Sequence, residues 1–125
     1  DIEKIPVGLV DMSGADDDND DLSNIFEEAV GTDKSEMDTD KDGHDDYYEI
    51  KNGYDPVGDG NMKNDLQFAE KQKGKILLQA ESNGEAWYVN PDNNKRYFLG
   101  RPADAFQIMK ELGVGISNNN FDKLK

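Results

Sequence analysis

The strongest constraint on this chain is a twelve-residue acidic loop that occurs twice. Sliding the sequence by 22 residues places Asp16, Asp18, Asp20, Glu27, Gly31 and Asp33 on Asp38, Asp40, Asp42, Glu49, Gly53 and Asp55. Carboxylates at alternate positions of one tight segment repel each other. Such a segment either stays solvated or closes around a cation. The order of the residues favours the second outcome.

The second copy runs from Asp38 to Glu49, with acids at loop positions 1, 3, 5, 9 and 12 and glycine at position 6. This is the calcium-loop pattern of EF-hands. Calcium takes six to eight oxygen ligands at about 2.3–2.6 Å, and alternate residues of a tightly wound loop turn toward one ion. Asp38, Asp40, Asp42, the His44 carbonyl, Asp46 and Glu49 are the candidate ligands, and Gly43 supplies the sharp turn. The first copy runs from Asp16 to Glu27 and offers Asp16, Asp18, Asp20, the Leu22 carbonyl, Asn24 and Glu27. It departs from the pattern at position 6, where Asp21 must accept a positive φ, which Asp tolerates better than most residues. The His44 ring is expected to point away as a bystander.

Neither loop is preceded by a helical pattern. Each is followed by one or two helical turns, over 24–30 and 46–52, ending at a glycine suited to the left-handed position after a helix. The loop, the short helix and the ending Gly53-Tyr54-Asp55-Pro56 resemble the thrombospondin type 3 repeats of bacterial surface proteins. The first copy ends Gly31-Thr32-Asp33-Lys34 and lacks the proline. The resemblance covers residues 9–57 and implies calcium as the bound ion. It also implies that aspartates between loops assist neighbouring sites, which makes Asp11, Asp33 and Asp55 secondary candidates. With few apolar residues in this stretch, folding and ion binding are expected to be coupled.

The charge is unevenly divided. Residues 1–62 hold 20 Asp/Glu against 4 Lys/Arg, and residues 63–125 hold 8 against 10. Two modules are expected, 1–62 and 63–125, joined by a glycine-containing linker at 57–62. In the second, Asn64 is expected to cap a helix over 65–73. Strand patterns follow at 75–81, 85–90 and 95–99, separated by turn signals at Asn83-Gly84 and at 91–94. The expected fold is α+β: calcium-locked loop–helix repeats, then a three-stranded antiparallel meander covered by helices. One of these is a helix over 102–112, and Ser117 caps a last short turn. Trp87, Tyr88, Tyr97 and Phe98 alternate between faces, so one set is core. Tyr88, Trp87, Arg96 and Arg101 are candidate contacts for a cell-envelope glycan or another surface protein.

Residues 64–125 also resemble a terminal module of bacterial exported proteins, and the Trp-Tyr-Val and Arg-Tyr-Phe-Leu strings are loosely similar to aromatic cell-wall-binding repeats. Both imply an extracellular or cell-surface setting with envelope attachment, and neither supplies catalytic residues. The composition agrees with a non-enzymatic reading. A net charge of -14 argues against nucleic acid as a partner, and no apolar stretch is long enough to span a membrane. Cysteine is absent and histidine occurs once, which removes disulfides, thiolate sites and multi-histidine zinc sites. The chain starts without Met and reads as a segment of a larger protein. The alternative function is calcium-dependent self-cleavage at Asp55–Pro56.

Overall fold

The computed structural model describes residues 2–9, 13–79 and 84–101. The expected helix over 102–112, the turn at Ser117 and the candidate ligand Asp11 lie outside them. The architecture is α+β. A 3-10 turn at Ile2–Lys4 precedes three short helices, α1 (Asn24–Val30), α2 (Asp46–Asn52) and α3 (Leu66–Lys71). Three strands follow, β1 (Ile76–Gln79), β2 (Glu85–Val89) and β3 (Arg96–Gly100), in the antiparallel order β1-β2-β3.

Local chemistry sets the helix limits. Ser23 caps α1 and Asp45 caps α2, each side chain accepting the N–H three residues on, from Phe26 and Tyr48. Gly31 and Gly53 end them in the left-handed conformation at φ 94° and 82°. The third helix starts one residue later than expected. Asp65, not Asn64, accepts the Phe68 N–H, while the Asp65 N–H donates to the Lys4 carbonyl.

Packing crosses the compositional break. Val7, Leu22, Phe26, Ala29, Ile50, Trp87 and Phe98 form one buried cluster. The Phe26 ring meets Trp87 edge-on at 6.1 Å and Phe98 at 5.9 Å, and Trp87 and Phe98 lie 5.0 Å apart as partners on β2 and β3. The expected linker is ordered as well. Met62 donates its N–H to the Gly53 carbonyl at 2.9 Å, and Tyr54 and Asn61 form an antiparallel bridge.

The N-terminal segment supplies the rest of the sheet edge. Val7 bridges Arg96 in parallel, with the Arg96 N–H on the Pro6 carbonyl (2.7 Å) and the Gly8 N–H on the Arg96 carbonyl (2.9 Å). This addition buries Arg96. Its guanidinium lies 4.2 Å from the centre of the Trp87 ring, and its Nε donates to the Ile5 carbonyl at 3.1 Å. Burial lowers its pKa to about 10, so it stays charged at neutral pH. Gly8 is held tightly: a Cβ there would stand 2.5 Å from carbons of the Tyr97 ring. Gly8→Ala is therefore expected to cost about 1–3 kcal/mol, read as a lower urea midpoint at unchanged slope. An unchanged midpoint would show that the Tyr97 ring swings aside freely.

Candidate metal centre

The two acidic loops have corresponding backbone bonds. Asp16 accepts the N–H groups of Asn19 (2.8 Å) and Asp21 (3.0 Å), and Asp38 accepts those of Asp42 (3.2 Å) and Gly43 (2.9 Å). Asp20 and Asp42 accept from Leu22 and His44, two residues on. The ninth position fastens the second in both loops. Asn24 Oδ1 accepts the Asp17 N–H, and Asp46 Oδ1 accepts the Thr39 N–H, each at 2.9 Å. Position 6 takes a positive φ in both, 76° at Asp21 and 99° at Gly43, as does position 4 at Asn19 and Lys41. Asp21 thus adopts the left-handed turn expected of it.

These bonds turn the carboxylates inward. Ligand oxygens of Asp16, Asp18 and Asp20 lie within 4.8 Å of one another, as do those of Asp38, Asp40 and Asp42. Glu49 stands beside the second group, buried, with Asp40 and Asp42 its strongest charged neighbours. A further group was not foreseen: Asp20 and Glu27 of the first loop meet Asp46 of the second, again within 4.8 Å and all buried. Asp46 therefore meets the first loop as well as its own, where Asp38 is its strongest charged neighbour. Leu22 and His44 stand at position 7 of their loops. The Leu22 side chain is fully buried in the core, and the His44 ring stacks on Tyr48 at 5.3 Å. Tyr48 stacks in turn on Tyr54, and with Asp42, Glu49 and Gly60 these rings line a shallow cavity of about 230 Å³.

The electrostatics are those of anions gathered without compensation. Burial, then Asp20 and Asp18, push the Glu27 carboxyl up to about 8. Burial, with Asp18, Asp16 and Asp46 adding to it, pushes Asp20 up to about 7. Glu49 is pushed up to about 7 by burial and by Asp40 and Asp42. Asp18 Oδ2, Asp20 Oδ2, Glu27 Oε2 and Glu49 Oε2 are buried and accept no hydrogen bond. An anion so placed is strongly destabilising unless a cation or a proton answers it. The donors are hard oxygens throughout, which suits calcium or magnesium rather than zinc or copper.

The secondary candidates behave differently. Asp33 accepts both the N–H and the hydroxyl of Ser35, and Asp55 accepts the Val57 N–H, so each carboxylate closes a local turn. Of the four candidate partner contacts, Trp87 and Arg96 are buried, because the N-terminal segment and Phe26 cover them. Tyr88 is half-buried against Ala86 and Leu99. Arg101 pairs with Glu28 at 2.6 Å. Among the described residues no helix is long and apolar enough to cross a membrane. No protein-family model matches the chain, and no curated protein or solved structure matches it.

Proposed function

We propose that residues 16–49 bind two calcium ions, one in each loop, and that the chain is a non-enzymatic, calcium-stabilised spacer and attachment segment of a bacterial surface or secreted protein. The observation that carries the calcium reading is the set of buried, unpartnered carboxylate oxygens on Asp18, Asp20, Glu27 and Glu49. Asp16, Asp18, Asp20 and Glu27 would hold the first ion, with the Leu22 carbonyl and Asn24 completing it. Asp38, Asp40, Asp42 and Glu49 would hold the second, with the His44 carbonyl. The bound cation supplies the positive charge that these oxygens lack. The repeat-like sequence and its likeness to thrombospondin type 3 repeats support the extracellular setting, and the same likeness suggests a structural role. A cell-envelope glycan or another surface protein is the proposed partner class, with Tyr88 the remaining surface aromatic of the original four candidates.

Calorimetric titration of the full chain with calcium tests this directly. Two ions are expected. Asp42→Ala should remove one of them, since it deletes a ligand and the acceptor of the His44 N–H at 2.9 Å. A flat titration of the unsubstituted chain would overturn the calcium reading.

A further inference from the structure

Two self-contained loops do not account for the three carboxylates that meet between them. Asp20 and Glu27 belong to the first loop and Asp46 to the ninth position of the second, yet their ligand oxygens lie within 4.8 Å of one another. Asp20 is 5% exposed, and Glu27 and Asp46 are 0% exposed. The Asp46 carboxylate is held on both oxygens by one residue. The Thr39 N–H donates to Oδ1 at 2.9 Å and the Thr39 hydroxyl to Oδ2 at 2.6 Å. Thr39 Oγ1 in turn accepts the Asp33 N–H at 2.9 Å. The second loop therefore fixes the orientation of Asp46 while its charge meets the first loop. Across this junction Asp20 Oδ2 and Glu27 Oε2 are buried with no hydrogen-bond partner. Anions brought together out of water are answered by protons or by a cation shared among them.

On the reading that the loops hold calcium, we infer that Asp46 is a ligand of the ion bound in the first loop, so that the second loop sets the affinity of the first. Position 9 of the second loop is thus not confined to its own ion. Filling the second loop orders Thr39 and presents Asp46 in place, which lowers the cost of ordering the first site. Linkage makes the effect reciprocal: an ion in the first loop favours the conformation that binds the second.

Calcium titration of the full chain in two backgrounds tests this. Asp40→Ala leaves the first loop as the binding site, and Asp18→Ala leaves the second. Adding Asp46→Asn to the first background should weaken calcium binding about tenfold or more, because a charged ligand is lost. Adding it to the second should cost clearly less. Terbium(III) bound in the first loop gives an independent readout: Asp46→Ala should add a coordinated water, seen in the luminescence lifetimes in light and heavy water. Asp46→Asn keeps an oxygen acceptor for Thr39, and Trp87 fluorescence reports that the fold survives. Should it unfold, Thr39→Val replaces it, removing one of the two bonds to Asp46, and must also weaken the first loop preferentially. An equal or larger loss in the second loop, or no added water on terbium, overturns this inference and leaves the calcium function standing. An unsubstituted chain that binds no calcium overturns both.

Discussion

Calcium is expected to reverse the pH dependence of this protein's stability. Glu27 titrates near 8 in the metal-free fold, and Asp20 and Glu49 near 7, against ordinary values of 4.5 for Glu and 3.8 for Asp. Between those limits the folded chain holds more protons than the unfolded one, so its stability falls as pH rises. The contribution is fully present below about pH 4, where both states are protonated, and is lost as pH climbs through 7 to 8. A bound cation changes the sign, because calcium takes the deprotonated carboxylates and competes with the protons. Two sites, each at a hundredfold excess over Kd, would add about 2.7 kcal/mol apiece. For a chain of this size that corresponds to a rise in Tm of roughly 15–25 °C. The gap between melting temperatures in calcium and in chelator should therefore be small near pH 5 and large near pH 8. Binding near pH 7 should also release protons, seen as a calorimetric heat that changes with the ionisation enthalpy of the buffer. Coincident melting curves at pH 8 would dispose of the idea.

What could be read in the residues was local, and what could not be read was contact between distant segments. Helices α1 and α2 lie where their sequences place them, because their glycine stops are properties of single residues. The Asp21 turn was legible for the same reason. The start of α3 moved by one residue, since Asn64 and Asp65 are both capable caps and the choice is tied to the Lys4 carbonyl, a contact from the other end of the chain. Alternation within each strand separated Trp87 from Tyr88 and Tyr97 from Phe98, but the register that pairs Trp87 with Phe98 and Tyr88 with Tyr97 was not in it. It carried no sign that Ile5–Val7 would lie along β3 and enclose Arg96. The meeting of Asp46 with Asp20 and Glu27 was hidden too. Position 9 has an ordinary role within its own loop, and the distance between two loops leaves no trace in the spacing of either.

Phe26→Ala is expected to be among the most damaging single substitutions, at about 3–5 kcal/mol for the loss of a buried phenyl ring. Phe26 is fully buried and packs edge-on against both Trp87 and Phe98, so its removal opens a cavity where the loop–helix segment meets the sheet. It also stands one residue before Glu27, and a loosened α1 displaces the carboxylate that closes the first loop. Calcium affinity at that loop should fall with stability, and Trp87 emission should shift to the red in the folded variant. The same contacts bear on whether the chain divides at its charge break. Residues 63–125 keep Trp87 and Phe98 but lose Val7, Leu22, Phe26 and Ile50, the other large members of the cluster. They also lose Ile5, whose carbonyl holds Arg96 over the Trp87 ring. Expressed alone, that fragment should show a red-shifted Trp87 and poorly dispersed amide resonances, and adding residues 1–62 with calcium should restore the blue emission. A fragment that matches the full chain in emission and shows dispersed resonances would mean that the second segment closes its own core. The Phe26 contacts would then be an interface between two independent modules.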